Sequence, residues 1–161
     1  CGDHDARIVV LRKVEKDKSL LQFHSDIRSN KVNTIKKNPH ASLLFYDKDE
    51  KIQIRVKSSC KINYKNEVAK IAWENTSHMS RKCYLADNGP GTISKDPTSG
   101  LNPKIERMEY SKKDSESGFK NFCVIQCFVE SIEWLYLAAK GHRRLLIDLK
   151  NIKKKYLWLT P

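Results

Sequence analysis

Residues 23–31 read Phe-His-Ser-Asp-Ile-Arg-Ser-Asn-Lys, and this stretch decides how the N-terminal part of the chain folds. The residues leading into it from Leu20 are apolar and typical of a β-strand. Ser29 suits the position before a helix, so we expect a short helix to begin there. That helix should end at Asn38, because the residue before a proline avoids helical dihedral angles.

A strand end, a short turn and a helix start together bring groups into one small volume that suit a phosphate. The helix N-terminus offers backbone N–H groups and the positive end of the helix dipole. Ser29 adds a hydroxyl, and Arg28 and Lys31 add two positive charges. A solvated, capped turn uses the same residue types. The spacing alone leaves a phosphate site and a plain surface turn equally open.

Outside this stretch, most segments with a regular pattern are rich in β-branched residues or alternate apolar with polar residues, which predicts strands. The segments with this pattern are Arg7–Val14, Leu20–His24, Ala41–Asp47, Lys51–Asn63, Phe122–Leu137, Arg143–Leu149 and Tyr156–Thr160. The first four predict two hairpins, and Phe122–Leu137 suits one long bent strand or two short ones. Near-helical spacing predicts a second short helix over Lys65–Trp73. The pattern is typical of a mainly antiparallel β-barrel or sandwich with a few short helices.

The stretch Ala86–Asn121 is different, because it is rich in Gly, Pro, Asn, Ser and Lys with only scattered apolar residues. A segment this long without regular structure in a compact domain predicts a functional or mobile loop. Such a loop can close over a ligand.

Length and composition bound the class of protein. The 161 residues, of which 39% are hydrophobic, suit a single domain rather than a chain disordered throughout. Charged residues interrupt every apolar run, so we expect no membrane-spanning helix. Five cysteines without a Cys-x-x-Cys pair argue against a disulfide framework and a zinc site, and favour a reducing cytoplasm. The chain begins at Cys1 rather than at a methionine, which is typical of a trimmed sequence.

A second candidate binding surface lies on predicted strands. Gln53 and Arg55 are two residues apart, so they point to the same side of an alternating strand and offer an amide beside a planar cation. Arg7 and Arg12 stand at the two ends of another predicted strand. These groups would suit the edge of a heterocycle, although spacing alone favours a solvent-facing strand surface.

Four successive blocks of the sequence resemble the FMN-binding half of the pyridoxamine 5′-phosphate oxidase family. The blocks are Arg-Ile-Val-Val-Leu-Arg from residue 7, Phe-His-Ser-Asp-Ile-Arg-Ser-Asn-Lys-Val from residue 23, Asn-Pro-His-Ala-Ser-Leu-Leu-Phe-Tyr-Asp from residue 38, and Gln-Ile-Arg-Val from residue 53. The pattern of Trp73, Arg81 and Tyr84, the run Gly-His-Arg-Arg from residue 141 and the final Trp-Leu-Thr-Pro resemble the oxidase-related branch more than the vitamin B6 enzyme itself.

The resemblance implies an antiparallel split β-barrel of the FMN-binding type with a few short helices. It implies one domain over residues 1–161, with room for an N-terminal strand upstream of Cys1. It also implies a homodimer that binds FMN in a groove between its two subunits. No membrane or metal partner is implied.

The resemblance also implies the cofactor contacts. The residues expected along the flavin and its ribityl chain are Arg7, Val9, Val10, Leu11 and Arg12. His24 and Ser25 match a Tyr-Thr pair beside the flavin. Ser29 and Lys31 match a phosphate-binding Ser-Arg-Lys turn, in which Asn30 replaces the arginine and nearby Arg28 is expected to supply the missing charge. Gln53 matches a glutamine that hydrogen-bonds the isoalloxazine ring.

The substrate site departs from the family pattern. The B6 oxidase has an Arg-x-His-Asp-Arg run where this chain has His142-Arg143-Arg144-Leu145-Leu146. We therefore do not expect pyridoxamine phosphate to be the substrate, and no catalytic side chain is assigned. The residues expected near a substrate are Trp73, Arg81, His142 and Arg143.

Three functions remain. The first is a cytoplasmic FMN-dependent oxidoreductase acting on a small molecule, with oxygen or NAD(P)H as its redox partner. The alternative is an FMN carrier or sensor without turnover. A nucleic-acid binder is motivated by the formal charge of +12 and the lysines at 150 and 153–155. It is least favoured, because aromatic residues are not visibly interleaved with that basic run.

Overall fold

The structure, a computed structural model, describes residues 5–151 and 153–161. The strands are β1 (Leu11–Glu15), β2 (Leu20–Asp26), β3 (His40–Asp47), β4 (Ile52–Asn63), β5 (Phe122–Tyr136), β6 (Arg143–Asp148) and β7 (Lys155–Leu159). The α-helices are α1 (Asn30–Lys37), α2 (Glu67–Glu74), α3 (His78–Arg81), α4 (Pro103–Glu106) and α5 (Lys112–Ser115), with 3₁₀ turns at Lys82–Tyr84 and Glu116–Asn121. No helix in this described part is long and apolar enough to cross a membrane.

The strands belong to one sheet of order β1-β2-β5-β4-β3, in which β6 also pairs with β5 and β7 pairs with β6. The pairs β3–β4, β5–β6 and β6–β7 are antiparallel. The predicted class, mainly antiparallel β with a few short helices, is confirmed.

Contacts divide the chain into two compact units. The first contains the residues up to Arg12, Gln22–Asn38 and Ile62–Gln126, and the second contains Lys13–Leu21, Pro39–Lys61 and Cys127–Pro161. That residues 1–161 form a single FMN-binding domain stays a prediction.

The core of the first unit forms around helix α2. Asn66 caps this helix by accepting a hydrogen bond from the backbone N–H of Ala69 at 3.1 Å. Ala69 and Trp73, one helical turn apart, are buried against Tyr84, Phe122 and Val124. The rings of Trp73 and Phe122 lie 5.1 Å apart, and such aromatic contacts stabilise a core beyond the area they bury.

The second unit contains the hairpin of β3 and β4. Asp47 Oδ1 closes its turn by accepting hydrogen bonds from the backbone N–H groups of Asp49 and Glu50 at 3.0 and 2.9 Å. The register places Leu43 opposite Val56, which is 4% exposed. Both hairpins predicted from the sequence are confirmed, because alternating patterns bounded by polar turns specify them locally.

Strand β1 is shorter than predicted. It begins at Leu11 rather than at Arg7, so residues 7–10 precede the strand. Strand β2 ends at Asp26, where the chain turns toward α1.

The segment Ala86–Asn121 is more ordered than predicted. Its second half contains α4, α5 and the turn Glu116–Asn121. Asn102 caps α4, and Ser111 and Asp114 form a reciprocal capping box at α5. Local side-chain caps therefore give regular structure to a sequence with little hydrophobic periodicity.

Candidate functional site

Two serine hydroxyls are buried where β2 gives way to α1 in the first unit. Ser25 and Ser29 are 3% and 2% exposed, and their Oγ atoms lie 3.1 Å apart. Ser29 precedes α1 as predicted, but its side chain caps no backbone N–H. The early N–H groups of a helix lack intrahelical partners. The Ser25 hydroxyl also donates to the backbone oxygen of Asp26 at 3.3 Å. This corner therefore offers a ligand mainly the Ser29 hydroxyl and the first N–H groups of the helix.

Lys31 gives the same corner a positive charge. Its amine makes no hydrogen bond or ion pair with any residue in the described part of the chain. Burial lowers the pKa of Lys31, and the positive charge of Arg7 lowers it further. Arg7 itself pairs with Asp5. An anion bound here would relieve the repulsion between the two cations and restore the pKa of Lys31.

His24 contributes a buried nitrogen without a partner. Its Nδ1 atom makes no hydrogen bond in the described structure, while its ring packs edge-on against Phe122 at 4.8 Å. Burial and the charge of Arg12 lower the pKa of His24 to about 4. The ring is therefore neutral at physiological pH, and Nδ1 can accept or donate one hydrogen bond according to its tautomer. A polar ligand would satisfy it.

The lowered pKa of His24 predicts a loss of stability in mild acid. The pKa rises to about 6.5 on unfolding, so the unfolded chain binds the proton more tightly between pH 6.5 and 4. The contribution of neutral His24 to the free energy of unfolding is fully present above pH 6.5. It is lost as the pH falls from 6.5 to 4, and the total loss is about 2–3 kcal/mol. Urea unfolding at several pH values should show a shallower dependence for His24→Gln than for the parent.

The exposed residue His142 supplies the control for that experiment. His142→Gln should leave the pH dependence of the parent in place. A His24→Gln variant with the same slope as the parent would contradict a neutral, buried His24.

Arg28 does not provide the phosphate charge expected of it. Its Nε and Nη2 atoms donate to the two carboxylate oxygens of Asp26 at 3.0 and 2.8 Å. Its Nη1 and Nη2 atoms also donate to the backbone oxygens of Asp87 and Ala86 at 3.0 and 3.1 Å. The guanidinium is thus engaged in joining the end of β2 to the segment after Leu85, and we no longer assign it to a ligand.

The residues expected along the flavin differ in exposure. Val9 is half-buried, while Val10 and Leu11 are 61% and 41% exposed. Arg12 lies close enough to His24 to affect its pKa. Exposed apolar side chains flanked by Arg7 and Arg12 suit a partly apolar ligand, although their contact with a flavin stays a prediction.

Gln53 and Arg55 lie in the second unit, on one side of β4 as predicted. The register places them opposite Tyr46 and Leu44, both of which are exposed. Arg55 forms an ion pair with Glu133, whose other oxygen accepts from Arg144 Nη2 at 2.9 Å. The charge of Arg55 is therefore compensated within this unit. The ion pair with Glu133 joins two neighbouring strands, β4 and β5, whose residues are far apart in the sequence, so no local sequence signal indicated it.

Two residues expected near a substrate instead belong to the core of the first unit. Trp73 is 3% exposed, and its indole N–H donates to Glu116 Oε2 at 2.8 Å. Arg81 is 1% exposed and donates to the backbone oxygens of Thr76 and Trp73 at 3.1 and 2.8 Å. Its guanidinium also pairs with Glu116 and lies 4.5 Å from the Trp73 ring. Both side chains are buried and their donors are already hydrogen-bonded within the protein, so neither is available to contact a substrate.

His142 and Arg143 lie in the second unit, in an exposed turn at the start of β6. Arg143 Nη1 donates to the backbone oxygens of Gly141 and His142 at 3.2 and 2.9 Å. Neither side chain pairs with another ionisable group in the described part of the chain. Their role toward a substrate stays a prediction.

A comparison with protein families matches the part of the chain that contains the expected cofactor residues. Residues 3–64 match the family model for pyridoxamine 5′-phosphate oxidase, FMN-binding domain. The predicted resemblance to this family is confirmed. Every residue assigned above to the cofactor lies inside the matched segment, whereas every residue assigned to the substrate lies outside it.

Solved structures extend the likeness to the fold of the whole chain. A pyridoxamine 5′-phosphate oxidase-related, FMN-binding protein from Nostoc punctiforme is 20% identical with a TM-score of 0.77, covering 96% of this chain and 80% of its own. PhzG from Burkholderia lata, in complex with tetrahydrophenazine-1-carboxylic acid, is 15% identical with a TM-score of 0.71, covering 98% and 75%. No curated protein sequence matches the chain. The predicted split-barrel fold is confirmed.

Proposed function

We propose that this protein binds FMN and is an FMN-dependent oxidoreductase. The single observation that carries the proposal is the start of α1, where two buried serine hydroxyls and the unpaired amine of Lys31 share one corner. The unpartnered Nδ1 of His24, on the strand leading into that corner, adds a polar group in need of a ligand. These donors and charges suit a phosphate dianion with an attached polar ring.

The proposed contacts follow from these positions. Ser25, Ser29 and Lys31 bind the phosphate, with Arg7 adding positive charge. His24, Arg12 and the apolar residues Val9, Val10 and Leu11 contact the remainder of the cofactor. Gln53 keeps its role at the flavin ring on the strength of the family resemblance. The protein acts as a homodimer, as the same resemblance implies.

When bound, FMN supplies the electron and hydride chemistry, so no side chain needs to act as a nucleophile. The protein's residues bind and orient it. Because His24 is neutral, it adds no positive charge beside Arg12. The positive charge of Lys31 is proposed to lie next to the phosphate. The redox partners that we propose are a small organic substrate and either oxygen or NAD(P)H, in the cytoplasm.

One observation favours the second candidate, an FMN carrier or sensor. Trp73 and Arg81, two of the four residues expected at a substrate, are sealed in the core of the first unit. A chain that keeps its cofactor corner but lacks these substrate contacts suits binding without turnover.

Absorption spectroscopy tests the proposal. The apoprotein mixed with FMN and passed over a sizing column should retain the visible bands of a flavin. Anaerobic addition of NADPH, and separately of dithionite, then tests the redox partner: bleaching by both supports an oxidoreductase that uses NAD(P)H. Bleaching by dithionite alone supports a carrier or an oxidase that takes electrons from an organic substrate and passes them to oxygen. A colourless protein that binds oligonucleotides, and releases them steeply with rising salt, would instead support a nucleic-acid binder.

A further inference from the structure

Two cysteines of the second unit face each other across neighbouring strands. Cys60 lies on β4 and Cys127 on β5, and their Sγ atoms are 3.5 Å apart. Cys60 is 9% exposed and Cys127 is fully buried. The proposed cofactor corner in the first unit does not use either thiol. Two thiols at this separation can react with each other to form a disulfide, which an isolated cysteine cannot do.

The surroundings give the two thiols different roles. The hydrogen bond between the two thiols lowers the pKa of Cys60, and so does the Ser58 hydroxyl, which lies 4.0 Å from the same sulfur. That hydrogen bond raises the pKa of Cys127, and burial raises it further. Cys60 is therefore the thiol that ionises first, and it is also the more exposed of the two.

We propose that Cys60 and Cys127 form a reversible disulfide when the protein meets a hydroperoxide. The Cys60 thiolate attacks the O–O bond and becomes a sulfenic acid, while the peroxide is reduced to water or an alcohol. The Cys127 sulfur then attacks the Cys60 sulfur, and the sulfenic oxygen leaves as water with the Cys127 proton. Each sulfur loses one electron, and the peroxide accepts both.

The geometry requires little movement. A disulfide has an S–S length of about 2.05 Å, so the sulfurs must approach by about 1.5 Å, which small side-chain rotations provide. Because the two strands are neighbours in the sheet, the bond would join β4 to β5 directly. Burial of both thiols slows their reaction with a peroxide, and attack by Cys127 removes the sulfenic acid on Cys60 before it is oxidised further.

The chain supplies two internal controls. Cys123 is as buried as Cys127, but its Sγ donates to the backbone oxygen of Ser25 at 3.2 Å and burial raises its pKa to about 12. No second sulfur contacts it in the described structure. Cys83 is exposed and unpaired. We therefore expect Cys123 to remain a thiol and Cys83 to oxidise on its own.

Peptide mapping of the full-length protein tests the proposal. After hydrogen peroxide treatment of the folded protein, rapid alkylation and proteolysis, the peptides holding residues 60 and 127 should appear as one linked species, lighter than the two thiols by about 2 Da. Dithiothreitol should restore both thiols. Oxidation of Cys83 in the same sample confirms exposure to peroxide. If Cys83 is oxidised while both other peptides carry alkylated thiols, the proposal is wrong.

Two variants sharpen the result. Cys127→Ser should stop oxidation of Cys60 at the sulfenic or sulfinic acid, without a linked peptide. Cys123→Ser should still form the link. The wild-type map decides the question even if a variant fails to fold, because it compares Cys60 and Cys127 with Cys83 and Cys123 within one sample.

Discussion

Replacing Lys31 and Ser29 together with alanine should weaken FMN binding by about 100-fold or more while changing riboflavin binding less than about threefold. The two ligands differ only in the phosphate. A contact from a charged group to that phosphate contributes about 1.5–3 kcal/mol, and the loss of a hydroxyl adds about 1 kcal/mol. Ser29 caps no backbone group, so its removal should cost α1 little. Fluorescence titration of the apoprotein with each flavin measures both constants.

Lys36→Ala is the matched control for that experiment. It removes the same charge from the same helix, but at the exposed C-terminal turn. We expect it to change FMN affinity less than about threefold. An equal loss of FMN and riboflavin in the double variant would place the phosphate elsewhere, and a loss matched by Lys36→Ala would show only a general effect of net charge.

Replacing Arg81 with alanine should destabilise the first unit by about 3–4 kcal/mol. The guanidinium is 1% exposed and donates to the backbone oxygens of Thr76 and Trp73. Alanine leaves both acceptors buried without a donor, opens a cavity and removes the cation from the face of the Trp73 ring. Glu116 is half-exposed, so its carboxylate can return to water and adds little to the loss. The free energy of unfolding in urea measures the effect.

Arg107 offers the comparison, because it forms an exposed ion pair with Glu109. Arg107→Ala should cost less than about 1 kcal/mol. Arg81→Lys keeps the charge but lacks the planar guanidinium, so its loss of stability should lie between those of Arg107→Ala and Arg81→Ala. If Arg81→Ala is no less stable than Arg107→Ala, the buried guanidinium does not hold this unit together.

Local patterns predicted the fold well. The alternation of Ile52, Ile54 and Val56 predicted one face of β4, and Ser29 and Pro39 marked the ends of α1. These features depend on residues close in sequence, which is why propensity and period reveal them. The helices α4 and α5 had a readable signal, since Asn102-Pro103 and Ser111-Lys-Lys-Asp114 are capping sequences.

The candidate site was predicted only where its residues are neighbours in sequence. Ser25, Ser29 and Lys31 lie within one turn-and-helix segment, so their proximity follows from local geometry. Arg81 looks like a free cation in the sequence because its carboxylate partner, Glu116, is 35 residues away. Arg28 pairs with nearby Asp26, but the backbone oxygens of Ala86 and Asp87 that complete its contacts are also distant in the sequence. Burying an arginine needs several acceptors at once, and only the folded chain brings them together.

The three tryptophans are divided between the two units, with Trp73 in the first and Trp134 and Trp158 in the second. Trp73 holds a cation over its ring and a carboxylate at its indole N–H, and both are lost on unfolding. Its fluorescence should therefore differ sharply between the native and denatured states. A chain that keeps Trp73 and carries phenylalanine at the other two positions would report the melting of one unit by itself, from a fluorophore that the protein already contains.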